Sequence, residues 1–316
     1  MKSTRESYGE YLVTKGFEDE KIVVFDADLA AATCTKKFKS EFPERHFDIG
    51  IAEQDMIGTA CGMALTGKKV FASSFAMFLA GRAYEQIRNT AAYSNVNINL
   101  CATHTGIAVG EDGATHQCIE DIALMNVIPN MKVLCPADDI STKKVLDICM
   151  SEEGPKYVRL GRNKAVDVYS EVDEFRLGGS KTFGEGTDGT IFAIGNTVHI
   201  ALETKSELKE KGIDVRVVDL YSIKPIDYDT IIKCAKETDK LISIEDHNVI
   251  GGIGSIISNV LTDNYPKKLV KLGVQDKFGK SGDVDNLYKI YGITKEEIIK
   301  QFNDILNKKE LSIFLN

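Results

Sequence analysis

Within residues 103–117 the chain reads THTGIAVGEDGATHQ, which gathers two of its five histidines, an adjacent Glu111–Asp112 pair and three glycines. Such a segment suits chemistry in which several polar groups converge on one small ligand. The glycines let backbone approach closely or take positive φ, and the side chains supply proton transfer and hydrogen bonds. The bland alternative is a polar surface loop. The flanks weigh against it: residues 97–102 read as a short apolar strand and residues 119–127 have helical spacing. In open α/β sheets, ligands bind where a strand hands over to a helix at its carboxyl end.

Three further groups could do chemistry. In DIGIAEQDMIGTACGMA, Glu53 opens a helix rich in small residues. A first-turn carboxylate gains about 0.3–1 kcal/mol from the helix dipole, which alone would explain it. The small-residue helix also suits close packing, where a glutamate would be desolvated and could share a proton with a ligand. In SSFAMFLAGR, Phe75 and Phe78 stand three apart at a strand-to-helix turn. They read as core residues or as one wall of a flat heterocycle's pocket. In YVRLGRN, Arg159 and Arg162 follow a strand end, where a planar guanidinium suits phosphate and plain surface charge is the alternative.

The elements that must position these groups alternate between strand-like and helix-like runs. Strands are expected at 21–25, 68–74, 97–102, 131–135 and 156–160, with helices at 52–65, 77–93, 119–127 and around 140–150. Residues 163–189, rich in Gly, Asp, Glu, Lys and Ser, read as a linker. A second run follows, with strands at 190–195, 215–220, 241–245 and KLVKLGV, and helices from 198, near 229–236 and from 251. The reading is α/β, two α/β domains with mainly parallel sheets, spanning 1–175 and 176–316.

Composition agrees. A chain of 316 residues fits about two domains. With 43% hydrophobic and 27% charged residues it carries no disorder signature. The net charge of −8 argues against nucleic acid or an anionic membrane as the principal partner, though local arginines could still gather an anionic substrate. Seven dispersed cysteines without a CxxC pair point to free thiols in a reducing compartment, and no zinc site is expected. Neither a signal-peptide core nor a membrane-length apolar run is read, so a cytoplasmic location is expected.

In this order, these residues resemble the C-terminal half of transketolase, a thiamine diphosphate enzyme, over essentially the whole chain. GIAEQDM is similar to that family's GIREHAM-type segment, and THTGIAVGEDGATHQ to its THDSIGxGEDGPTHQ signature. The resemblance implies a pyrimidine-binding domain followed by a transketolase C-terminal domain. It implies that Glu53, His104 and His116 are catalytic and that Glu53 hydrogen-bonds the cofactor's aminopyrimidine. It makes Phe75 and Phe78 the aromatics around that ring and Asp28 an aspartate of the cofactor region. His104 would contact the sugar and its phosphate, Asp112 a sugar hydroxyl, and Arg162, with Arg5 more loosely, the phosphate.

The chain also departs from the family pattern. Where Pro-Ser usually follows Ala-Asp-Leu, it has Ala30-Ala31-Ala32-Thr33, and Gly81 replaces a third aromatic. No GDG segment is present to hold Mg²⁺ or Ca²⁺ and the diphosphate, and the nearest string, SGDVD at Ser281, lies deep in the second domain. That implies one subunit of a split enzyme, active with a diphosphate-binding partner in an α2β2 assembly. GIAEQ also resembles 1-deoxy-D-xylulose-5-phosphate synthase, against which His104 argues. A 2-oxo acid dehydrogenase beta subunit lacks GEDGxTHQ, and a non-catalytic partner subunit would not be expected to keep all these groups. In the second domain, the glycine turn at 251–255 could hold an anion at a helix N-terminus or serve tight packing, and His247 reads as structural.

Overall fold

The computed structural model describes residues 1–303; residues 304–316, the end of the second expected domain, lie outside them. The strands are β1 (Ile22–Asp26), β2 (His46–Asp48), β3 (Lys69–Phe75), β4 (Ile98–Thr103), β5 (Lys132–Leu134), β6 (Lys156–Arg159), β7 (Lys181–Phe183), β8 (Gly189–Ala193), β9 (Val215–Asp219), β10 (Ser222–Lys224), β11 (Lys240–Asn248) and β12 (Leu269–Val274). They form two sheets, of order β10-β5-β6-β4-β3-β1-β2 and β12-β11-β8-β9-β7. Every pairing is parallel except β10 with β5 and β7 with β9. The central strands β1, β4 and β8 are buried along their whole length, as expected of parallel strands covered on both faces.

Three features depart from the sequence reading. The stretch 163–189 is not all linker, because β7 pairs with β9 and extends the second sheet. The helix expected at 77–93 is broken into a wide π-helical turn at Met77–Arg82, a short α-helical piece at Tyr84–Gln86 and a second π-helical stretch at Ile87–Tyr93. Such widened turns often accompany functional sites. A helix at Thr4–Glu18 precedes β1 and starts from a capping box formed by Ser3 and Glu6. That Ser-x-x-Glu signal was present in the sequence.

The two sheets share their interior. One apolar cluster runs from Phe25 and Val70 through Ile122 and Met125 to Phe192, Val218 and Leu241. β10 follows β9 of the second sheet yet pairs with β5 of the first. Between the sheets lies a buried polar network. Arg159, at the end of β6, donates from Nε to Asp121 at 2.9 Å and from Nη2 to the Asp246 carbonyl at 2.7 Å. Tyr157 donates to the same Asp121 carboxylate, and the Ile122 amide donates to His247 Nε2.

Arg159 is therefore neither a surface charge nor a phosphate ligand, being 4% exposed and paired with Asp121. The anion site considered at 251–255 is also ruled out by packing. The Glu245 carboxylate already accepts the Ile253 and Gly254 amides at that helix N-terminus. His247 is fully buried, and burial pulls it down to about 4. Removing one partner of a buried ion pair strands the other charge. Arg159→Met is expected to destabilise the chain by about 3–5 kcal/mol in denaturant unfolding, with a substantial part recovered in Asp121→Asn/Arg159→Met.

Candidate active site

Glu53 is the first residue of the helix Glu53–Leu65 and is 1% exposed. Ser74, at the carboxyl end of β3, donates to its Oε1 at 3.3 Å, and Arg82 donates from Nη1 to Oε2 at 2.5 Å. The Arg82 guanidinium reaches back from the end of the π-helical turn and lies 4.6 Å from the Phe78 ring centre. Phe75 and Phe78 stack with centroids 5.9 Å apart. His104 stacks on Phe75 at 3.8 Å, and His116 stands edge-on to Phe78 at 5.3 Å. The predicted aromatics, both histidines and the glutamate thus gather at the carboxyl ends of β3 and β4.

The chain reaches this arrangement because β4 ends in a tight reversal. His104 has φ 57° and Gly106 φ 71°, after which residues 107–112 form short 3-10 turns broken by a kink at Gly110, φ 81°. A side chain at Gly106 would put its Cβ 2.3 Å from the Asp246 carboxyl carbon, so the position requires glycine for space as well as for conformation. The second domain reaches the far side of the loop too. Ser281, expected deep in that domain, packs against Gly113, and Gln117 donates to the Lys280 carbonyl.

Hydrogen bonding fixes the state of His104. Arg5 Nη1 lies 3.1 Å from its Nε2, and a guanidinium can only donate, so Nε2 accepts. The proton then sits on Nδ1, which donates to Thr103 Oγ1 at 2.9 Å. Burial, followed by the charges of Arg5 and Arg162, pulls His104 down to about 3. Arg5 also donates to the Ala32 carbonyl, and its Nε is buried without a partner. Arg162 donates to the Val109 carbonyl at 2.5 Å and pairs with the exposed Asp112 at 3.4 Å.

Other expected residues lie differently. Asp28 is exposed, has φ 61°, and its amide is tied to Asp48 rather than to the ring cluster. Thr33 is turned inward, donating to Asp26 at 2.6 Å, so its hydroxyl is not presented as the family serine would be. Burial raises Asp26 to about 6. The sequence reading gave no role to Ser74, Arg82 or Asp246, whose contacts join residues 21, 29 and 139 positions apart. No periodicity or motif links such positions.

A buried carboxylate beside a wall of stacked rings fits the flat, nitrogen-bearing aminopyrimidine of thiamine diphosphate. Among the described residues no group of three or more His, Cys, Asp or Glu is arranged to hold a metal ion. No described helix is long and apolar enough to cross a membrane. All seven cysteines are free.

Comparison with known proteins agrees with this geometry. Residues 1–166 match the transketolase pyrimidine-binding domain and residues 178–298 the transketolase C-terminal domain. A transketolase C-terminal section of Methanocaldococcus jannaschii is 47% identical over 311 residues, covering 98% of both chains. Rat transketolase is 34% identical over 97% of this chain, which spans 49% of that protein. A solved split-gene transketolase, described as an inactive beta4 tetramer, superposes with a TM-score of 0.90 at 44% identity, covering 97% of this chain and 99% of that one.

Because the folded chain holds His104 neutral, the unfolded chain binds its proton first as pH falls below the ordinary histidine value of 6.5. Stability linked to His104 is thus present above that value and declines as pH drops toward about 3. Between pH 7 and pH 5 the decline is about 2 kcal/mol. His104→Gln should remove that much of the acid sensitivity, measured as the difference between the two proteins' unfolding free energies at each pH.

Proposed function

The chain belongs to the transketolase family as the C-terminal subunit of a split enzyme, and from that premise we propose that it supplies the pyrimidine- and sugar-facing half of the active site. The reaction is transfer of a two-carbon ketol unit from a phosphorylated ketose donor to an aldose acceptor. The N-terminal subunit holds the diphosphate and its Mg²⁺ or Ca²⁺, and the assembly is α2β2. The setting proposed for this reaction is pentose phosphate metabolism in the cytoplasm.

The observation that carries this reading is Glu53, a buried carboxylate bonded to Ser74, the neighbour of Phe75, and to Arg82, whose guanidinium lies over Phe78. Thiamine diphosphate, when bound, supplies the carbanion chemistry that carries the transferred unit. The chain's own groups bind, orient and exclude water. Glu53 would hydrogen-bond the ring nitrogen once Arg82 releases Oε2, and Phe75 and Phe78 would form the wall beside the ring. Asp28 would serve the cofactor region from the end of β1.

On the sugar side, Arg5 and Arg162 lie near an uncharged His104, so the positive charge offered to a phosphate dianion would come from the two guanidiniums. With its Nε2 lone pair engaged by Arg5, His104 orients that guanidinium as well as contacting the sugar. Asp112, exposed at the lip, would meet a sugar hydroxyl, and His116, edge-on to Phe78, would stand near the reacting carbons. The related split-gene structure is an inactive tetramer of beta chains alone, in keeping with a site that needs its partner.

Mixing the chain with its N-terminal partner should give thiamine diphosphate-dependent ketol transfer that neither polypeptide shows alone. Turnover by this chain by itself would contradict the split site. In the mixture, Glu53→Ala should cut transfer by at least about 10³-fold, the scale of losing one preorganised transition-state contact. The folded state should survive, because the stranded Arg82 is 43% exposed at its side chain. Transfer within tenfold of the parent would remove Glu53 from the mechanism.

A further inference from the structure

The loop that faces the sugar is held through its backbone by side chains. On the carbonyl side, Gln117 donates to Ile107 and Gly110, Asn163 to Ala108 and Arg162 to Val109. On the amide side, one group takes both donors. Asp246, on β11 of the second sheet, accepts the Ile107 amide on Oδ1 at 2.8 Å and the Ala108 amide on Oδ2 at 3.2 Å.

The grip is rigid at both ends. Asp246 is 3% exposed, its Oδ2 also accepts Tyr288 Oη at 3.1 Å, and its own carbonyl accepts Arg159. Gly106 lies against the carboxylate so closely that any Cβ would collide with it. Two oxygens on consecutive amides define the position and the rotation of the loop, whereas a single bond would leave a pivot. Downstream of that anchor the same loop carries Asp112 and His116, and displacing reacting groups by about 1 Å can cost about 100-fold in rate.

We propose that Asp246 is a positioning residue for ketol transfer: its two-point grip on the Ile107 and Ala108 amides sets where the loop presents Asp112 and His116 to the sugar. The second domain thereby acts on the site through the main chain, without touching the reacting atoms. The chemical role rests on the transketolase reading; the grip itself rests on the hydrogen bonds.

The test has one arm that needs no activity. In the full chain alone, Asp246→Asn should raise amide hydrogen exchange at Ile107 and Ala108 by about tenfold or more, confined to residues 106–117, because one acceptor is replaced by a donor. In the complex with the partner, the same variant should lower kcat by about 100-fold while thiamine diphosphate affinity stays within about threefold, since Glu53, Phe75 and Phe78 are not moved. Tyr288→Phe, a gentler change that keeps the carboxylate, should lower kcat several-fold with the same unchanged cofactor affinity, and it decides the matter if Asp246→Asn does not assemble. Unchanged exchange would overturn the grip. Faster exchange with unchanged kcat, or parallel losses of cofactor affinity and kcat, would overturn the positioning role. If the parent complex shows no ketol transfer, the functional reading and the positioning role fail together, while the exchange arm still decides the grip.

Discussion

Arg159 ties the molecule together. Its guanidinium, buried at the end of β6, bonds the Asp121 carboxylate on one side and the Asp246 carbonyl on the other. Asp121 begins the helix that follows the loop at residues 104–117, and Asp246 holds that loop's amides. One buried cation therefore joins both flanks of the loop to the second sheet. A buried charge of this kind is costly unless it is paired, and here Asp121, itself bonded by Tyr157, and the main chain of β11 receive it. The shared apolar cluster between the sheets supplies bulk cohesion, while this network sets the register in which they meet.

Charge placement at the site follows a consistent logic. The chain carries a net charge of −8, yet the face built from Arg5, His104 and Arg162 presents two guanidiniums around an imidazole that burial keeps neutral. The single buried carboxylate among the rings, Glu53, is met in this chain by Arg82, an arginine on the widened turn whose side chain remains 43% exposed. The guanidinium can return to solvent when a ligand arrives, but the buried carboxylate it leaves then needs the ligand as its new partner. The Phe75–His104 stack thus stands between the two arginines and the buried Glu53 carboxylate.

What was legible in the sequence was local. The handover from β4 to the glycine- and histidine-bearing loop, Glu53 in a helical first turn, and Phe75 with Phe78 at a strand end follow from short-range pattern, and the structure brings them together. What the pattern could not carry was partnership across the fold. Asp246 reaches a loop 139 residues earlier, β10 leaves its own neighbours to pair with β5, and Glu245 fills the helix end that a glycine turn had suggested for an anion. Arg159 read as a phosphate ligand or a surface charge because nothing near it in sequence reveals Asp121 and Asp246. The Met77–Arg82 turn escaped because its apolar spacing is helical, and the widening that aims Arg82 at Glu53 has no signature in residue type.

The central claim is that this chain holds half of a cofactor site: a pyrimidine-recognising wall and sugar-facing loop without the diphosphate grip. Its most direct measurement is calorimetric titration of thiamine diphosphate, with Mg²⁺ present, into this chain, into the N-terminal partner and into their mixture. The account predicts saturable, tight binding in the mixture and none of comparable strength to either chain alone. Binding to this chain alone as tight as to the mixture would contradict it.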